Sequence, residues 1–221
     1  MKTKLKIILA LIIVLQILSL VGFVIYQENL KATGTKIILQ TVPVDPRDLL
    51  RGEYVDLRYE ISDIVVENIR CYRICLGYDL EDKSNRSKSR EDFLESGEGR
   101  NIYVLLTKKP YRSESVALVR DSSWYVYDIS DSLSFGNNKP EGIEAIVIKG
   151  RIESIDLYQF TETIRMSVEY GIDQYFLQEG KGGLVEDAAD VKVEVNIASN
   201  GKAFITDLIL DGIKLSDSIS D

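Results

Sequence analysis

The chain has 221 residues, a formal net charge of −8, 45% hydrophobic residues, 2 cysteines and no histidine. The lack of histidine excludes histidine-based triads and histidine-containing zinc sites, and the acidity argues against nucleic acid as a partner, since phosphate backbones call for basic surfaces. The length suits one domain, or two small units sharing a core.

The chain starts with an apolar run from Ile7 to Tyr26, interrupted only by Gln16 and Ser19. Roughly 20 such residues cross a bilayer as a helix. Lys2, Lys4 and Lys6 precede the run and no acid does, so the N-terminus is expected in the cytoplasm and the remainder outside it. A cleaved signal peptide has a core of roughly 7–15 residues and small residues before the cut. This run is longer, no Ala-x-Ala-like site ends it, and no cysteine near its end offers lipid attachment. The expectation is an uncleaved transmembrane signal anchor over 1–26, a linker over 27–35, an exported β domain over 36–215 and a frayed tail over 216–221. Taking the three anchor lysines from the chain's −8 leaves the exported part at −11. Such a surface stays soluble and repels nucleic acid and anionic headgroups at long range.

Strand candidates then follow one another. Lys36 to Val42 is apolar. Tyr54 to Ile61 alternates, with Val55, Leu57, Tyr59 and Ile61 on one side and Tyr54, Asp56, Arg58 and Glu60 on the other. Asp63 to Tyr78 is ambiguous between helix and strand. It holds Cys71 and Cys75, which are too far apart to bond if the segment is a strand but can approach in a helix or tight turn. Residues Glu81 to Arg100 read as a solvated loop. Strands resume at Ile102 to Thr107, Ser115 to Val119 and Trp124 to Ile129. A loop over Ser130 to Gly142 leads to a branched run at Glu144 to Ile155. Ile164 to Tyr170 and Val191 to Ile197 alternate in turn. Ser199-Asn200-Gly201 turns the chain into Lys202 to Leu210, and Asp211-Gly212 offers a further turn. The fold class is therefore mainly β, mostly antiparallel, behind one N-terminal helix.

One pattern recurs. Val55-x-Leu57-x-Tyr59-x-Ile61 is echoed by Met166-x-Val168-x-Tyr170-x-Ile172. The echo fits two related β units over 36–129 and 143–215, and it fits equally the general pattern of half-buried strands.

The segment Pro43-Val44-Asp45-Pro46-Arg47-Asp48-Leu49-Leu50-Arg51-Gly52 feeds the first alternating strand, and the passage into it reads Gly52-Glu53-Tyr54-x-x-Leu57-x-Tyr59. This resembles the signature of the GDYXXLXY family of membrane-anchored bacterial proteins, a family defined by its motif rather than by an activity. The resemblance extends to a second stretch, Tyr175-Phe176 followed by Glu179-Gly180-Lys181-Gly182 and a later Glu186. Two positions depart from the pattern: Glu53 stands for the signature aspartate, and Gln178 where the family suggests proline. The resemblance implies a bacterial cell membrane location, and members often accompany polytopic membrane proteins, which implies such a partner.

Chemistry finds little foothold. The chain has no Gly-x-Ser-x-Gly elbow, Walker loop or Gly-x-Gly-x-x-Gly fingerprint. Arg51-Gly52-Glu53-Tyr54-Val55 behind an anchor is similar to the turn leading into a strand of type I signal peptidases, but the Ser-Met pair those enzymes need is absent. No cofactor and no metal are expected. Gly52, Leu57 and Tyr59 read as structural, with Gly52 making the turn and the other two in the core. Asp45, Arg47, Asp48, Arg51, Glu53 and Tyr54 form the candidate interaction surface, because opposite charges can tie such a loop and an exposed tyrosine suits binding. Tyr175, Phe176, Glu179 and Lys181 form a secondary candidate. The expected function is a noncatalytic, membrane-tethered module that engages a membrane or envelope partner. The alternative is an envelope enzyme working through carboxylates on a glycan or with a metal, which needs two acids close together in a cleft with shifted pKa values.

Overall fold

A computed structural model of the chain describes residues 2–42, 54–66, 95–109, 124–135, 139–158, 163–177 and 181–218. The apolar run lies within one helix, α1 (Lys2–Ala32). Its most apolar window has a mean hydropathy of 3.0 and none of that window is buried in protein. A helix apolar all round needs an apolar surrounding. This one is long and apolar enough to cross a bilayer, a description that a signal sequence also meets. The helix runs past Tyr26 to Ala32, so most of the stretch expected as a linker is helical.

The strands are β1 (Thr35–Gln40), β2 (Tyr54–Asp56), β3 (Asp63–Val65), β4 (Asn101–Thr107), β5 (Tyr125–Ser130), β6 (Ala145–Tyr158), β7 (Thr163–Glu169), β8 (Gln174–Phe176), β9 (Val191–Ile197), β10 (Ala203–Leu210) and β11 (Ile213–Lys214). Two short helices complete the described structure, α2 (Gly182–Glu186) and α3 (Leu215–Ser218). The strands form a four-stranded sheet β1-β9-β10-β11, a two-stranded ribbon β2-β8 and a five-stranded sheet β3-β7-β6-β4-β5. All their pairings are antiparallel. The predicted turns do their work through backbone freedom. Gly201 has φ 83°, while Asp211 and Gly212 have φ 49° and 88°, the two successive positive values that a tight hairpin turn requires.

One hydrophobic core draws on all three sheets, with Leu39, Tyr59, Ile64, Leu106, Ile148, Met166 and Leu208 among its most buried members. Sequence and structure differ at two further places. The strand expected over Tyr54 to Ile61 ends at Asp56; Tyr59 makes an isolated bridge to Thr41, and a turn follows. The burial alternation nevertheless persists, with Val55, Leu57, Tyr59 and Ile61 buried and Arg58 and Glu60 exposed. Extended backbone can alternate its side chains without ladder bonds, so the alternation outlasts the strand. The tail is ordered through Ser218, because Leu215 is buried and the Ser216 hydroxyl donates to the buried Asp207 carboxylate at 2.5 Å. Every sheet takes strands from both of the stretches 36–129 and 143–215, so the two stretches share one core.

The echo is architectural. The Tyr59 hydroxyl donates to the Ile172 carbonyl at 2.6 Å, and the Tyr170 hydroxyl donates to the Ile61 carbonyl at 2.7 Å. The Leu57 amide donates to the Asp173 carbonyl at 2.7 Å, and the Val168 amide to the Ser62 carbonyl at 2.9 Å. The registers of β2-β8 and β7-β3 also correspond: Tyr54↔Phe176, Val55↔Tyr175 and Asp56↔Gln174 match Arg165↔Val65, Met166↔Ile64 and Ser167↔Asp63. Further out, β4-β5 and β9-β10 each carry a bulge followed by a buried aspartate, Asp128 and Asp207, whose carboxylate accepts the next residue's amide. The pairings β1-β9, β2-β8 and β4-β5 thus have counterparts in β6-β4, β7-β3 and β9-β10, whereas the β6-β7 ladder is matched only by the isolated Thr41–Tyr59 bridge. The partners are exchanged, since β1 pairs β9 and β6 pairs β4.

Glu194 ties the outer face of the four-stranded sheet. Its carboxylate accepts from Lys214 at 2.6 Å, Thr206 at 2.8 Å and Lys36 at 3.4 Å. The Lys214 and Thr206 bonds hold its pKa down to about 2. A carboxyl depressed in the folded state stabilises fully above its unfolded value, about 4.3, and loses that contribution as pH falls toward 2. In urea titrations between pH 5 and pH 2, Glu194→Gln is expected to flatten the acid loss of stability seen in the parent chain. An identical pH slope in both would refute this role.

Candidate functional site

The signature passes from β2 into the core along a single face. Val55, Leu57 and Tyr59 face inward, and the burial of Tyr59 is complete. Burial pushes the Tyr59 and Tyr170 hydroxyls far above the ordinary tyrosine range, and the charge of Asp173 adds to this. Both are neutral donors at any physiological pH, and each satisfies a carbonyl of the other half.

The alternate side chains of the signature emerge on the outer face. In the β2-β8 ribbon Tyr54 stands opposite Phe176, and Asp56 opposite Gln174. Residues directly opposite share a face. The Tyr54 and Phe176 rings are tilted at 58° with centroids 6.1 Å apart. Phe176 is 75% exposed, while Tyr54 is half-buried beneath it. Gln174 donates to Asp56 at 3.2 Å. Tyr175 points the other way, packs on the core and has its hydroxyl raised by burial and then by Asp207.

Next to this aromatic pair lies an open cleft of about 500 Å³, lined by Asp56, Arg58, Glu153, Glu169, Asp173 and Gln174 among others. Arg58 bonds Asp63 at 2.7 Å across its rim. Asp173 is held by the Gly171 amide at 3.0 Å, where Gly171 takes φ 69°. Burial raises the Asp173 carboxyl and neighbouring Glu169 raises it further, against the lowering pull of backbone amides. Among the described residues no three side chains of metal-binding type come together to hold an ion. A second groove, about 420 Å³, runs along β1 beside Lys108, Trp124 and Glu194, with the Lys108 ammonium 4.2 Å from the Trp124 ring centre.

The fold therefore joins what the sequence offered as two candidates. Tyr54 of the first and Phe176 of the second are one surface. Leu57 and Tyr59 lie in the core. Lys181 stands at the start of α2, half-buried. Asp45, Arg47, Asp48, Arg51, Gly52, Glu53 and Glu179 lie outside the described residues, as do Cys71 and Cys75. Sequence reasoning missed Glu153, Glu169, Asp173 and Trp124. For Asp173 a signal existed, since it follows Gly171 two residues before the second candidate at Tyr175-Phe176. The others carried none: Glu153 and Glu169 stand on paired β6 and β7, Trp124 lines the second groove, and no local window shows which strand faces a concavity.

Comparison with known proteins places these observations. No curated protein and no solved structure matches the chain. The family model described as GDYXXLXY protein matches residues 16–208, which takes in the second half of the apolar helix, the signature and nearly all of the β domain. The chain belongs to the GDYXXLXY family.

Proposed function

We propose that the protein is a noncatalytic module of the bacterial cell membrane. In this reading α1 is its single-pass anchor, the N-terminus is cytoplasmic and the β domain lies outside. The module binds a membrane or envelope protein through the aromatic pair of the signature ribbon. The observation that carries this reading is the convergence of Tyr54 and Phe176 on one exposed face. A large ring left 75% exposed beside another aromatic is the kind of anchor that dominates protein interfaces, and the polar Asp56 and Gln174 beside it supply a rim.

The reading predicts that Phe176→Ala leaves stability within about 0.5 kcal/mol of the parent, as for other exposed sites, and weakens partner capture at least tenfold. Photocrosslinking from position 174, an exposed neighbour on the same ribbon, in native membranes, with Tyr54→Ala as a second variant, measures this. Undiminished crosslinking by a folded Tyr54→Ala chain would rule out the aromatic surface.

A second reading is a carboxylate enzyme, favoured by the raised Asp173 beside Glu169 in the cleft. Raised and ordinary carboxyls in one cleft can act as acid and base. Turnover of an envelope glycan abolished by Asp173→Asn, with capture unaffected, would replace the binding reading.

A further inference from the structure

We infer that the end of the domain formed by Lys31, Lys149, Lys202 and the β9-β10 turn rests on the phosphate layer of the lipid headgroups, fixed there by an inflexible junction between helix and sheet. The inference rests on the reading of α1 as a retained anchor.

The junction has almost no slack. Only Thr33 and Gly34 separate the end of α1 from β1. Thr33 closes the helix, its amide and hydroxyl both bonding the Asn29 carbonyl at 3.1 and 2.8 Å. The buried Asn196 of β9 donates from its side chain to the Lys31 carbonyl. Gly34 is pressed so closely on β9 that a Cβ there would overlap the Asn196 side chain and come 2.8 Å from the Ile197 carbonyl oxygen. The helix end is therefore clamped to a central strand of the sheet.

Position along the helix then sets height. From Tyr26 to Ala32 the helix rises roughly 9 Å, against a headgroup layer of about 5–7 Å on each side of the hydrocarbon. Thr35 pairs with Ile197, so the turn after β9 lies beside the helix end. Lysines gather there. The Lys31 and Lys202 ammoniums lie 5.9 and 5.1 Å from the Phe204 ring centre. Gly201 of the turn accepts the Lys149 amide at 2.8 Å. All three lysines are exposed; Glu28 meets Lys31 at 3.2 Å. The domain's overall acidity opposes approach to an anionic surface from solution, but the tether makes that encounter unnecessary, and short-range contact is decided by the lysines.

The test uses the full chain in vesicles of phosphatidylethanolamine and phosphatidylglycerol containing a headgroup nitroxide lipid. Tryptophan is placed by Asn200→Trp, and its quenching is taken relative to the parent, whose single tryptophan is Trp124. The added tryptophan is expected to be quenched at least twofold more strongly than Trp124. That excess should fall when a flexible Gly/Ser insert follows Gly34, and when Lys31, Lys149 and Lys202 become alanine. Circular dichroism confirms that each variant is folded. Quenching no greater than at Trp124, in a chain of intact mass retained by the vesicles, overturns this inference and leaves the anchor standing. Quenching that ignores the lysines overturns the phosphate contact, and a strong signal only in native membranes assigns that end to a protein instead. Isolation of a chain lacking its N-terminal helix overturns the anchor reading itself.

Discussion

Truncating Tyr59 to alanine is expected to remove about 3–5 kcal/mol of folding stability, the usual cost of emptying a buried aromatic site. Its side chain is wholly buried and its hydroxyl is the sole described link from the signature to the Ile172 carbonyl. Tyr59→Phe keeps the ring and orphans the carbonyl, at about 1–3 kcal/mol. Tyr170→Phe should cost a similar amount, because it breaks the matching bond to Ile61. The two hydroxyls brace the same pair of turns, so the double variant is expected to depart from additivity by at least 0.5 kcal/mol. Urea unfolding of the four chains measures this. Strict additivity would mean that the two turns are held independently. The raised hydroxyls add a sign at high pH. A tyrosine whose folded pKa lies above its unfolded value of about 10 stabilises fully below that pH and loses the contribution as pH rises beyond it. The parent should therefore unfold more readily above about pH 10, and the double phenylalanine variant should lose most of that slope.

Gly150→Val carries the second large effect. A Cβ at Gly150 would sit 2.6 Å from Val168 Cγ1, 3.1 Å from the Glu169 carbonyl oxygen and 3.2 Å from Tyr170 Cδ1. Overpacking of this kind costs about 1–3 kcal/mol, and here it also strikes the ring whose hydroxyl bonds Ile61. The variant is expected to have a urea midpoint well below that of the parent, with a greater loss than Gly150→Ala. A wild-type midpoint for the valine variant would show that β6 and β7 separate at little cost.

The exposed aromatic pair and the cleft both draw on strands from the two halves of the chain. If each half paired only within itself, Tyr54 and Phe176 would be far apart, and Asp56 would not share a cleft with Asp173. Like segments meet through reciprocal bonds, Tyr59 to Ile172 and Tyr170 to Ile61, but their other side chains differ. Arg58 corresponds to Glu169 and Ser62 to Asp173, so an architecture close to symmetric carries an asymmetric, acidic cleft. The same divergence leaves Phe176 exposed where its counterpart Val65 is half-buried.

Local rules made much of this molecule legible from its residues. The apolar run was legible as a helix from its length and uniform hydrophobicity. The alternation of Val191 to Ile197 and the glycines at 201 and 212 specified a hairpin and its turns. The inward set Val55, Leu57, Tyr59 and Ile61 was readable although half of it is not strand, since burial follows side-chain direction and not ladder bonding. The end of β2 at Asp56 was not readable, because it depends on which neighbour supplies hydrogen bonds. Nor was the helical continuation to Ala32, which is fastened by Asn196 from a strand far along the chain. The echo was visible in sequence, yet its meaning needed the tertiary structure: a repeated pattern is the same whether two units stand apart or exchange partners. Pairing of distant strands is a matter of global packing and loop closure, which no local window contains. That pairing made one surface of Tyr54 and Phe176 and set Glu169 and Asp173 in a cleft.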